Sequence, residues 1–297
     1  MKCIIASCNP YVTQDGTPLA PDDRLLSEAL RALRIDAEVV PWEAEGYLWH
    51  QADLVKIGST WNYPRSWERY REWLQRVASV TRLRNPLEAL LWNIEKGRYF
   101  ADLRARGIPL ILTDILNRGE RVDLASRLDE HDWDRAVLKP SVGTNSFGCR
   151  TVCRGDLESV AEGQAHLTSF LSWQDMLLQP YLASVETGCE MSYVFVDGVF
   201  SHAFGKSAFG PRLADVPTSR AVHPSSIEVE LAGWVIQTVQ GLLGLHLLYG
   251  RVDIVRDGDG QPLVMEVELI EPMLHLEQNG ALDRLTQGII DVYCAHA

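Results

Sequence analysis

Up to Asn85-Pro86, short apolar runs alternate with amphipathic stretches. Cys3–Ala6, Ala37–Val40 and Leu54–Ile57 have the length and composition of buried strands. Leu25, Leu26, Ala29, Leu30 and Leu33 fall on one helix face behind Asp22 and Asp23, and Trp67–Val80 predicts a second helix. Such alternation predicts an open α/β layer. From Trp92 the pattern changes. Asn93–Arg106 reads as a helix ended by Gly107, followed by the apolar run Ile108–Leu112. Asp123–His131 is polar. Arg135–Leu138 reads as a strand running into Lys139-Pro140 and a Gly/Ser/Thr-rich loop, Ser141–Gly148. Asp156–Phe170 reads as a helix and Met176–Gln179 as a strand. In the last third, Met191–Val196 and Val199–Phe204 alternate with period two around Asp197-Gly198, a two-residue hairpin signal. An apolar helix, Ile227–Leu243, precedes strands Tyr249–Val255 and Leu263–Leu269, which Asp257–Gly260 joins.

Composition narrows the class. The 297 residues are 46% hydrophobic and 23% charged, ordinary for a globular protein. Forty acidic against 28 basic residues give a net charge of -12, opposite to what phosphate-contacting nucleic-acid binders show. No apolar run has the length of a membrane helix. The N-terminal MKCIIASCNP lacks the features of a signal peptide. Cys3, Cys8, Cys149, Cys153, Cys189 and Cys294 form no CxxC pair and read as reduced thiols in a cytoplasmic protein. Trp67, Trp73, Trp92 and Trp234 sit at amphipathic spacing and read as core; His202, His223 and His275 are weaker candidates for substrate contacts.

Charge concentrates in the final hairpin. Residues two apart on a strand share a face, so Glu266 and Glu268 project together, as do Arg251 and Asp253. A simple turn at 257–260 would set Arg251 opposite Glu266, with Asp253 diagonal to it. Three carboxylates this close repel unless a cation or shared protons intervene, and oxygen-only ligands suit Mg²⁺ or Mn²⁺. The alternative is a solvated acidic face with Arg251 as internal counter-ion. Lys139, Ser141, Gly143, Thr144 and Ser146 form a second constellation, in which backbone N–H groups, hydroxyls and an amine can wrap phosphate. A plain flexible turn explains it equally well. The third is Gln179-Pro180-Tyr181-Leu182, whose proline break can leave backbone groups free to read an adenine edge, with Glu186 and Glu190 following as possible ribose contacts or as ordinary surface residues.

Taken together, these residues resemble the ATP-grasp superfamily over roughly Trp92 to Ala297. The resemblance is carried in order by Lys96 in WNIEKGRYF, Lys139 in VLKP, the Gly/Ser loop, LLQPYL, Glu190 in GCEMSYVF, Arg251 and Asp253, and Glu266 and Glu268. Within that superfamily STWNYPRSWERYREWL, NPLEALLWNIEKGRYF and VMEVELIEPMLHL resemble the cycloserine-forming cyclo-ligase branch. Two departures stand near the acceptor: Asn62 where an acidic residue is common, and no glycine-rich, Arg-containing run after Lys206.

The resemblance implies an α/β fold, α+β in its C-terminal part, with three-part ATP-grasp architecture. Residues 1–91 would form an N-terminal α/β substrate-side unit, 92–180 the central unit and 181–297 the C-terminal unit with the metal site. It implies an ATP-dependent ligase that forms an amide-type bond through an acyl phosphate, releasing ADP and phosphate. Lys96 and Lys139 would hold phosphates, and Gln179, Tyr181, Leu182, Glu186 and Glu190 the nucleoside. Asp253, Glu266 and Glu268 would hold Mg²⁺ (Mn²⁺ as substitute), and Arg251 and Lys206 would act on the reacting groups. Arg212, Arg220, His202 or His223 would serve the acceptor side. The partner expected is a small amino-acid-like molecule, cyclised or joined to a second amino acid, with no nucleic acid and no membrane. Modification of another protein is the competing reading, and the oligomeric state is open, a homodimer being one arrangement.

Overall fold

The structure, a computed structural model, describes residues 1–12, 19–185, 190–206, 219–221 and 223–295. Glu186, Cys189 and Arg212 lie outside the described residues, as does the side chain of Arg220.

The first sheet is parallel, in the order β2-β1-β3-β4, from β1 (Lys2–Ser7), β2 (Asp36–Pro41), β3 (Leu54–Ile57) and β4 (Arg82–Arg84). Helix α1 (Pro21–Ala32) packs Leu26 and Leu30 on one face, and α2 (Trp67–Ala78) packs Tyr70, Trp73 and Leu74 on the other. Both faces are thereby covered, which is why these strands read as unbroken apolar runs. The sequence predicted one helix over Asn93–Arg106; there are two, α3 (Leu87–Asn93) and α4 (Lys96–Arg104), broken at Ile94 and Glu95.

The second sheet, β5-β8-β6-β7, is antiparallel: β5 (Asp114–Leu116), β6 (Arg135–Pro140), β7 (Arg150–Cys153) and β8 (Met176–Pro180). Helices α5 (Leu124–Glu130) and α6 (Leu157–Leu171) bury Leu124, Leu128, Leu167 and Leu171 against it. Asp123 and Asp156 cap them by accepting backbone N–H bonds in the first turn, so the stretch read as merely polar is a helix.

The third sheet, β11-β10-β9-β12-β13, is built from β9 (Glu190–Val196), β10 (Val199–Lys206), β11 (Ser219–Ala221), β12 (Tyr249–Arg256) and β13 (Pro262–Glu268). The β9–β10 turn puts Asp197 and Gly198 at φ +55° and +74°, the left-handed pair that a two-residue hairpin requires. One face packs against α7 (Ser226–Leu243) together with α3 and α4; Trp234, expected in the core, lies on the outer side of α7 and is 44% exposed. The opposite face meets α1, β1 and α8 (Ala281–Cys294), a helix that the period-two reading of the last third passes over.

The first and third sheets are tied by buried polar groups. Asn85 donates to the carbonyls of Tyr249 and Leu269 (2.8 and 2.9 Å) and accepts from Leu248 N (2.8 Å). The Tyr249 hydroxyl lies within 2.9–3.2 Å of the carbonyls of Ile57, Arg84 and Ile270. Asp22 accepts from the N–H groups of Leu274, His275 and Leu276. Beyond β3, Gly58 carries the chain past Asp23, whose Oδ1 would stand 2.3 Å from any Cβ there, and into Trp61. No helix among the described residues is long and apolar enough to cross a membrane.

Candidate active site

The hairpin β12–β13 sets the charged face, in a register that differs from the simple one. Arg251 faces Glu268 and Asp253 faces Glu266, because a bulge at Met265 gives β13 one extra residue and the turn closes at Asp257 and Gln261. Toward its other edge, β12 sets Asp253 beside Ser192 on β9, and Glu190 at the start of β9 faces Lys206 at the end of β10. Four strands therefore line up Lys206, Glu190, Asp253, Arg251, Glu266 and Glu268.

These charges are interleaved. Asp253, fully buried, accepts two parallel bonds from Arg251 (2.9 and 3.0 Å), one from Ser192 (2.6 Å) and one from Lys206. Lys206 also reaches Glu190 at 3.0 Å, and Arg251 reaches Glu268. Lys96 opens α4, pairs with Glu266 at 3.1 Å and donates to the Gly143 carbonyl at 2.5 Å. Although burial pushes the other way, Arg251 and Lys206 hold the Asp253 carboxyl well below the usual range. Glu268 is pushed up to about 7, chiefly by burial, with the Glu266 and Asp253 charges adding to it. Asp253, Glu266 and Glu268 each offer an oxygen within 4.8 Å of the others, an all-oxygen set that fits a hard divalent cation.

The cavity over this face has a volume of about 820 Å³. Lys96, Lys139, Gly143, Thr144 and Ser146 line one part of it, Gln179, Tyr181, Leu182 and Glu190 another, and Trp61 and Asn62 a third. Ser141, expected among the phosphate groups, is not in this lining. Its hydroxyl accepts from Gly97 N (3.2 Å) and its carbonyl from Lys96 N (3.0 Å), so it fastens the loop to α4. The proline break does not free the Tyr181 N–H either, since that group donates to the Arg135 carbonyl (2.9 Å). What stays unpaired there is Gln179 Oε1, a buried acceptor whose amide nitrogen donates to Thr113 (2.9 Å). Asn62, standing where an acidic residue is common in the family, accepts from Trp42 Nε1 (2.7 Å) and donates to Glu43. His275 lines the cavity against Phe204, whereas His202 is buried beside Ser201 and His223 is exposed. The described cysteines are all free thiols.

Sequence reasoning missed Glu271. It is 7% exposed and lines the cavity, its carbonyl accepts from Trp61 Nε1 (2.9 Å), and burial pushes its carboxyl up to about 8. Between about 4.5 and 8 the folded chain thus holds a proton there that the unfolded chain has released, so this group's contribution to stability falls as pH rises. In urea titrations of the ligand-free protein from about pH 5 to pH 8, Glu271→Gln should gain on the wild type by up to about 1.4 kcal/mol per pH unit. A constant difference between the two would show that Glu271 does not titrate in this range.

Three sheets with a charged hairpin, two lysines and a Gly/Ser loop converging on one cavity define an ATP-grasp ligase. The D-alanine–D-alanine ligase of Bacillus anthracis, solved with ATP, superposes with a TM-score of 0.68 over 99% of this chain and 97% of its own, at 15% identity. The crystal structure of D-cycloserine synthetase DcsG superposes with a TM-score of 0.86 at 30% identity, covering 99% of this chain and all of that one. Residues 3–85 match the D-cycloserine synthetase DcsG N-terminal domain. The cycloserine biosynthesis protein DcsG of Streptomyces lavendulae is 33% identical over 289 residues, 92% of this chain and 94% of that protein. The chain belongs to the D-cycloserine synthetase family of ATP-grasp proteins. It is an ATP-dependent ligase that joins a carboxylate to an amine nitrogen.

Proposed function

We propose that the chain closes O-ureido-serine, or a near analogue, into the cycloserine ring at the cost of one ATP. The observation that carries this reading is a single cavity lined both by the acidic face with its lysines and by the Trp61–Asn62 segment, in a chain alike to DcsG over nearly its whole length. A substrate whose nitrogen is tethered near its carboxylate has a high effective concentration and needs no second amine site.

The substrate carboxylate attacks the γ-phosphorus, the bond to the bridging oxygen breaks, and ADP leaves. The oxygen-bound ureido nitrogen then attacks the acyl carbon, the C–N bond forms, and phosphate leaves with the nitrogen's proton. The closed ring still carries its carbamoyl group, which water then cleaves as carbamate, ending as carbon dioxide and ammonia. Lys96 and Lys139 neutralise phosphate oxygens. Arg251 stands beside the transferring group and the tetrahedral carbon, where fixed positive charge lowers the barrier. Lys206 orients Glu190 through their ion pair, and Glu190 takes ribose hydroxyls. Gln179 Oε1, buried and lacking a donor, suits the adenine amino group. Asp253, Glu266 and Glu268 would hold Mg²⁺, which when bound neutralises the phosphate charge that three carboxylates alone would repel. Loop 141–148 covers the site and excludes water that would hydrolyse the acyl phosphate.

The test is product analysis. O-ureido-serine alone should yield ADP, phosphate and cycloserine, with carbon dioxide and ammonia from its carbamoyl group and no AMP. A strict need for a second amine would overturn cyclisation, and accumulation of AMP would overturn the acyl phosphate.

A further inference from the structure

Among the described residues, the carboxylates that line the cavity are matched to cations with one exception. Glu190 pairs with Lys206, Glu266 with Lys96 and Glu268 with Arg251, while the Asp253 carboxylate behind them lies between Lys206 and Arg251. Glu271 has no such pair among the described residues. It is nonetheless more than nine-tenths buried, its backbone is fixed by Trp61, and the Tyr63 and Thr144 hydroxyls are placed to donate to it. Burying a carboxylate without a counter-charge is costly, and the cost is visible in the upward push on its pKa. Among the described residues no cation forms an ion pair with it, and the place beside it that opens to the cavity suits a cation brought by the substrate.

Position sharpens this. Glu271 follows the Glu266–Glu268 pair by three residues, beyond the end of β13, and touches both the Trp61–Tyr63 segment and the Gly/Ser loop through Thr144. It thus sits where the non-nucleotide end of the cavity meets the reacting end. The edge-on pair of Tyr11 and Trp61, with ring centroids 4.8 Å apart, lines the same end and presents aromatic surface of the kind that accommodates an ammonium.

We propose that Glu271 is the counter-charge for the α-ammonium group of the amino-acid substrate, and so selects amino acids over their deaminated analogues. The proposal rests on the reading of the chain as a ligase of an amino acid.

The test compares O-ureido-serine with 3-(ureidooxy)propanoate, which lacks only the amino group. Wild-type enzyme should show a KM for the amino acid about 10- to 100-fold lower, the size of a charge-assisted hydrogen bond. In Glu271→Gln the ratio of the two KM values should fall to within about threefold of one, and Glu271→Asp should recover part of it. The affinity for a non-hydrolysable ATP analogue, read by calorimetry, should be the same in all three proteins. An unchanged ratio in Glu271→Gln overturns the assignment, as does a fall in kcat with the discrimination intact. If the wild type turns over neither compound, the cyclisation reading fails by itself. Alanine against propionate, bound in the presence of the ATP analogue, then decides the ammonium contact: equal binding of the two in the wild type refutes it.

Discussion

Asp253→Ala is expected to abolish turnover and also to lower stability, toward the lower end of about 3–5 kcal/mol. Asp253 is the buried centre of the charge array, and its removal strips one partner from both Lys206 and Arg251 in a place water does not reach. Glu190 and Glu268 remain and soften the loss, which is why the lower end is expected. Urea unfolding gives the stability change directly. A variant as stable as the wild type would mean that the array is held by packing and not by charge.

Glu268→Gln should separate catalysis from stability. Turnover should fall about 10³-fold or more, since one ligand oxygen and its charge are lost at the point where phosphate charge gathers. Stability should be unchanged or slightly raised. The Glu268 carboxyl is already pushed up to about 7 by burial and by Glu266, so neutralising it relieves a repulsion, while Arg251 keeps its two bonds to Asp253. Thermal melts beside an ADP-release assay check both halves. Unfolding of Glu268→Gln would make the acidic face structural and remove the basis for a metal there.

Much of this arrangement is legible in the amino acids because local and global signals agree. Leu54–Ile57 is β3 to the residue, and the Asp197-Gly198 turn follows from two residues that tolerate positive φ. The members of the charged hairpin are readable because alternation puts Arg251 with Asp253 and Glu266 with Glu268, and a short turn between the strands brings the two pairs to one face. Their pairing is not readable. The register differs from the simple one by two residues, one from the turn closing at Asp257 and Gln261 and one from the bulge at Met265, and no local preference marks Met265 as the extra residue. Helix α5 is hidden for another reason: Leu124 and Leu128 are its only buried apolar side chains, and it draws on contacts with α6, such as the bond from Leu124 N to Gln164. The stripe Ala281, Leu285, Ile289 and Val292 does announce α8, but beside strongly alternating strands it draws no notice. Glu271 escapes because a single acidic residue in a loop is ordinarily solvated. The signal that marks it is its setting, a lone charge between Leu269-Ile270 and Pro272 in an otherwise apolar run.

The tie made by Asn85 and Tyr249 bears on how such ligases can be recombined. The first sheet looks like a cassette that one relative might lend another, carrying its substrate preference along. Yet Asn85 bonds to backbone of Leu248, Tyr249 and Leu269, and the Tyr249 hydroxyl reaches back to Ile57 and Arg84. A graft cut after Asn85 would therefore keep the donor's amide but lose the tyrosine it was fitted to. Chimaeras that exchange substrate choice should carry the segments around 248–250 and 269–276 together with the N-terminal piece, because the heritable unit of specificity is split between the two ends of the chain.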